Sequence, residues 1–99
     1  MAHRVVFRPR ARDHLLSLYR YIAMQAGPET ALAYLQRIED ACMSLAHSPE
    51  RGTQRPELGK NVRVIGFERR VAIAFRVQRS TVEILAISYA GRRFEDDVR

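Results

Sequence analysis

Val71-Ala72-Ile73-Ala74-Phe75-Arg76-Val77, then Gln78-Arg79-Ser80-Thr81, then Val82-Glu83-Ile84-Leu85-Ala86-Ile87-Ser88: this stretch decides the fold class. Two runs of β-branched, aromatic and small apolar residues flank a short polar link, the pattern of two antiparallel strands. In the first run Val71, Ile73, Phe75 and Val77 alternate with Ala72, Ala74, Arg76 and Gln78. The first set is therefore expected on the core side and Arg76 on the other. Residues 82–88 are apolar on both faces, as in a central strand covered twice or one whose second face a partner covers. Just upstream, Val62–Phe67 is a third strand-like run, joined through Glu68-Arg69-Arg70, and the three together read as an antiparallel meander.

Moving outward from the meander, the N-terminal half changes period. From about Ala11, the residues Leu15, Leu18, Tyr19, Ile22 and Ala26 recur at spacings of three and four, one apolar stripe of an amphipathic helix that Gly27-Pro28 ends. Pro28 and Glu29 then open a second helix, whose stripe is Ala31, Leu35, Ile38, Cys42 and Leu45. With so short a joint the helices form an antiparallel hairpin, and their stripes need a common sheet to cover them. Ahead of them Arg4-Val5-Val6-Phe7-Arg8 reads as a strand stopped by Pro9. Residues 48–59 (Ser-Pro-Glu-Arg-Gly-Thr-Gln-Arg-Pro-Glu-Leu-Gly) carry no period and read as a long loop. The order is β-α-α-β-β-β, an α+β fold in which the N-terminal strand pairs beside the last one to close a four-stranded sheet.

A chain of 99 residues with 46% hydrophobic and 28% charged content is expected to be one domain spanning residues 1–99. Its modest burial leaves apolar surface for a partner. No apolar run approaches the roughly 20 residues of a membrane span, and the run at Val5-Val6-Phe7 is too short for a secretory signal. Cys42 is the only cysteine, so a reducing compartment is the simple expectation, with the thiol packed in the core. Sixteen arginines and one lysine, Lys60, face eleven acids, giving +6. The excess is placed unevenly: residues 60–94 carry eight basic and two acidic residues, while residues 1–59 carry eight and six. An acidic partner is implied, protein or nucleic acid.

The order of these elements, with Leu18-Tyr19-Arg20-Tyr21-Ile22 in the first helix, Ser48-Pro49-Glu50-Arg51-Gly52 after the second, Asn61-Val62-Arg63, the hairpin from Phe67 to Phe75, Ile84-Leu85-Ala86-Ile87 and Tyr89-Ala90-Gly91-Arg92-Arg93, resembles the RelE/ParE toxins over nearly the whole chain. The first helix and the Gly-Arg-Arg ending are similar to the ParE branch, except that Tyr89 stands near where a histidine often precedes the glycine. The resemblance implies a cytoplasmic toxin of a type II toxin–antitoxin pair, with no cofactor. Its partners would be a cognate antitoxin protein and, as target, DNA gyrase, in a hetero-oligomer that reaches DNA indirectly through the antitoxin. RelE-type members are instead ribosome-dependent mRNA endonucleases, which is the alternative. A chain that has lost toxicity and survives as an antitoxin-binding regulatory subunit is the second alternative.

The residues weigh on that choice. Cleaving RNA through its 2′-hydroxyl needs a base, an acid and cations on the phosphate. Arg63, Arg76 and Lys60 supply cations and Tyr89 is the candidate base, although a tyrosine ending a strand ordinarily anchors its ring in the core. His3, His14 and His47 lack metal-ligand spacing, so no metal site is expected. A binder asks less: Arg92 and Arg93, with Arg63 as a third, are the expected toxicity or target-binding determinants. Arg63 could equally pair with Glu83 or a helix acid. Leu16, Tyr21, Met24 and Tyr34 lie off the inner helical stripes and are the expected antitoxin contacts, or else a widening of the core face.

Overall fold

The structure, a computed structural model, describes residues 2–90. Strand β1 (Arg4–Phe7) leads into helix α1 (Pro9–Ala26), then helix α2 (Pro28–Met43) and a 3-10 turn (Ser44–Ala46). A short strand β2 (Thr53–Gln54) and a second 3-10 turn (Pro56–Leu58) precede β3 (Val62–Phe67), β4 (Val71–Gln78) and β5 (Thr81–Tyr89). The strands lie in the order β1-β5-β4-β3-β2, with β1 parallel to β5 and the other pairs antiparallel.

Both helices start at a proline. Arg8 is extended (ψ 154°) and Pro9 takes the first helical position, so α1 begins two residues before the expected Ala11. A proline there loses no intrahelical bond, because the first N–H groups of a helix have no partner anyway. Gly27 ends α1 and opens α2: its N–H donates to the Ala23 carbonyl (2.9 Å) and its own carbonyl accepts from Ala31 N–H (3.1 Å). Its φ of +95° is one that side-chain-bearing residues rarely adopt, which is why the joint is a glycine.

The helices lie on one face of the sheet. Ala11 and Leu18 of α1 and Leu35, Ile38 and Cys42 of α2 are buried with Ile65, Val71, Ile73, Phe75, Val82, Ile84 and Ile87. The alternation expected for residues 71–77 holds: Val71, Ile73 and Phe75 are buried in this cluster, with Val77 packed against it. A smaller cluster occupies the opposite face, where Leu58 packs with Val62, Ala74, Leu85 and Ala86.

Two features depart from the expectation. The sheet has five strands, not four, because Thr53 and Gln54 pair with Val64 and Arg63. Both are exposed, so the pairing is made by the backbone and leaves no side-chain period to read. Gly52 admits this approach: a Cβ there would meet the Val64 carbonyl oxygen at 2.4 Å and Ile65 Cγ2 at 2.6 Å. Second, the register between β4 and β5 slips, Ala74 opposing Ala86 while Phe75 opposes Ile84, which leaves Leu85 as a bulged residue. The slip puts Val82 and Ile84 before it, and Ile87 and Tyr89 after it, on the helix side. This is why residues 82–88 look apolar on both faces.

Candidate functional site

Sheet register decides which candidate residues meet. Directly opposed residues of an antiparallel pair share a face. Tyr89 opposes Val71, and Arg63 opposes Phe75, so both stand on the helix side; Arg76 opposes Val62 and Glu83, on the other side. From the level of Tyr89 to that of Arg76 is five positions along β4, about 17 Å at about 3.3 Å per residue. Tyr89 is thus kept apart from Arg76 and from Lys60, whose carbonyl Arg76 binds. Arg63 shares the Tyr89 face but stands four positions away along β4, about 13 Å, so the register does not bring the four together.

Arg76 and Arg63 both have structural work. Arg76 donates from Nε to the Lys60 carbonyl (3.3 Å) and lies 4.0 Å from Glu83, which also has Arg8 at 3.8 Å. Arg63 donates to the Glu50 carbonyl (2.8 Å) and so holds the long loop to β3. The expected partners of Arg63, Glu83 or a helix acid, do not receive it in the described contacts, and for Glu83 the reason is the face: it projects from the opposite side of the sheet. Lys60 is exposed. Cys42 is fully buried and burial pushes its thiol up to about 12, with Glu39 adding to the shift, so it stays protonated at neutral pH. Arg92 and Arg93 lie outside the described residues.

At the Tyr89 end the surface is aromatic. Tyr89 and Tyr21 rings meet at 5.8 Å, tilted by 57°, and Tyr34 meets Phe67 at 6.2 Å with the Arg37 guanidinium 5.1 Å over its ring. Arg37 reaches from α2 to the turn between β3 and β4, donating to Glu68 from Nε (3.0 Å) and Nη2 (3.2 Å). The bond from Arg37 holds the Glu68 carboxyl below its usual range, and burial, with Glu68 nearby, raises the Tyr34 phenol. Glu68 and Arg69 both have positive φ (48° and 64°), a conformation that costs energy outside glycine, in the turn that Arg37 binds at Glu68.

The expected antitoxin contacts divide. Leu16, Tyr21 and Met24 are 49%, 50% and 86% exposed, whereas Tyr34 is half-buried against the core. Leu32 and Met43 of α2 are also exposed large apolar residues. The sequence reading missed them, although their spacing of eleven places both on one side of α2, outside its inner stripe. It missed as well that His14 Nδ1 accepts the Ile87 N–H (3.0 Å), beside a cavity of about 350 Å³ lined by His14, Leu18, Tyr21, Ile87 and Tyr89.

A mixed sheet with a two-helix hairpin on one face, an apolar exposed helix surface and scattered arginines defines the class of RelE/ParE-like toxin folds. The chain belongs to the family described as the ParE toxin of the type II toxin–antitoxin system parDE, whose family model matches residues 5–94. The structure is similar to a solved chromosomal ParDE toxin–antitoxin system from P. aeruginosa (TM-score 0.78, 27% identity, covering 90% of this chain and 97% of that one). In fold it is also similar to the toxin–antitoxin complex RelBE2 from Mycobacterium tuberculosis (0.66, 20% identity, 90% and 99% covered). A free double arginine-to-alanine mutant of the E. coli toxin RelE shares the fold too (0.69, 13% identity, 99% and 95% covered). No curated protein sequence matches the chain significantly. Among the described residues no helix is long and apolar enough to cross a membrane.

Proposed function

We propose that this ParE toxin arrests growth in the cytoplasm by binding DNA gyrase, without catalysis and without a cofactor, and that a cognate antitoxin neutralises it in a hetero-oligomer. The observation that carries the binding reading is the separation of Tyr89 from Arg76, five positions along the sheet and on its opposite face. A tyrosine base works with its cations on one phosphate. Arg76, with the Lys60 carbonyl beside it, stands at the far end of the strand pair from Tyr89, which supports binding over cleavage. The antitoxin, itself the DNA-binding partner, covers the exposed apolar residues Leu16, Tyr21 and Met24 of α1, with Tyr34 at the margin of the contact. The target is engaged by Arg92 and Arg93, with Arg63 in support.

The test is supercoiling of relaxed plasmid by purified gyrase, with the toxin alone and then with its antitoxin. Inhibition that the antitoxin reverses is the expected result. Unchanged supercoiling at micromolar toxin, together with cleavage of ribosome-bound mRNA, would replace this reading with the endonuclease one.

A further inference from the structure

Strand β1 is less than half as long as the strand it flanks. It pairs with β5 only from Arg4↔Thr81 to Phe7↔Ile84, and Arg8 N–H donates to the Ile84 carbonyl (2.9 Å) as the chain turns into α1. β5 continues to Tyr89, and among the described residues no strand lies on its outer side there. An unpaired strand edge invites pairing with foreign chains, and a half-buried N–H without an acceptor is costly. At Ile87 the acceptor is a side chain from 73 positions earlier in the sequence, His14 Nδ1, at 3.0 Å.

The chemistry of this bond fixes the state of the ring. A backbone N–H can only donate, so Nδ1 must present its lone pair and the proton of the neutral imidazole sits on Nε2. His14 and Ile87 border the cavity between α1 and β5, which Tyr21 and Tyr89 also line. Those two phenols are the titratable groups that share the cavity with the imidazole among the described residues; on α1 itself Asp13 is its neighbour in sequence and Arg10 lies one turn earlier. We propose that His14 is a protonation-controlled latch on the open half of the β5 edge. Neutral, it seals the Ile87 N–H and ties α1 to the strand. Protonated, it presents a donor to a donor, and the seal opens. Imidazole is the side chain that changes charge in the mildly acidic range, so acidification is the trigger. The latch rests on the hydrogen bond and the topology, and stands whether or not gyrase is the target.

Amide exchange of the full chain, resolved by residue with NMR between about pH 7.5 and about pH 5, tests it, with the His14 ring titration followed in the same samples. As His14 protonates, the protection factor of Ile87 should fall by about tenfold, as for one lost hydrogen bond. Phe75, in β4 with a strand on either side, should keep its protection. In His14→Asn the Ile87 protection should be flat across the range, high if the side-chain carbonyl reaches the N–H and low if it does not. Ile87 protection that stays constant while the ring titrates, or that falls equally in His14→Asn, would overturn the latch.

Discussion

The two ends of the β4–β5 pair are built from different chemistry. At the Val71–Tyr89 end, Tyr89 meets Tyr21 from α1, Tyr34 meets Phe67, and exposed Met24 lies on α1. At the Arg76–Glu83 end, Arg76 and Arg8 share one carboxylate and the Lys60 carbonyl completes the network. Aromatic side chains bury large areas with few rotors to freeze, so they hold a partner once docked. Exposed cations contribute little standing affinity in salt, but they steer an acidic partner toward the surface. One end is suited to retention and the other to encounter.

The largest expected effect is on retention. Tyr21→Ala together with Met24→Asp should weaken antitoxin binding by at least tenfold in calorimetry, about the cost of a central interface anchor. The melting temperature should stay near that of the wild type, since Tyr21 and Met24 are 50% and 86% exposed. Equal affinity in the double variant would place the antitoxin elsewhere. A smaller effect is expected at the other end, where Arg8→Ala with Arg76→Ala should slow association with gyrase a few-fold, roughly, and flatten its salt dependence while leaving dissociation near normal. A change confined to dissociation would make these arginines docking contacts instead.

The smallest effect concerns the Arg37–Glu68 pair that closes the aromatic end. The folded state holds Glu68 below its usual range through the bond from Arg37. Its contribution to stability is therefore present above the unfolded carboxylate value of about 4.3 and is lost as pH falls through the folded value. Arg37→Ala should lower the thermal midpoint slightly at neutral pH, and the part of the gap due to the ion pair should close in acid. A gap that widens in acid would contradict this sign.

How much of this was legible in the sequence follows from how far apart the interacting residues are. Leu18 and Ile22, and Leu35 and Ile38, repeat within a turn of helix, so both helices and their inner faces can be read directly. Val71, Ile73 and Phe75 alternate, so the core face of β4 can be read as well. Thr53 and Gln54 join the sheet through backbone alone, and the Leu85 bulge depends on the register of a neighbouring strand; neither leaves a local pattern. Tyr34 could be read either as a partner contact or as a widening of the core face, and it is half-buried against the core with Phe67 beside it. The bond from Ile87 to His14 spans most of the chain, and nothing near either residue announces it. For the site, residue types were visible and the expected antiparallel pair already separates Tyr89 from Arg76, but the face on which Tyr89 and Arg63 stand depends on the Leu85 bulge and the β3–β4 register.

That separation is the centre of the account, and Tyr89→Phe tests it most directly. The substitution removes the hydroxyl and keeps the ring that packs on Tyr21, so fold and antitoxin binding should be retained. Growth arrest on induction should be as strong as in the wild type if the protein acts by binding. A folded, antitoxin-binding Tyr89→Phe protein that no longer arrests growth would make the hydroxyl catalytic and contradict the account.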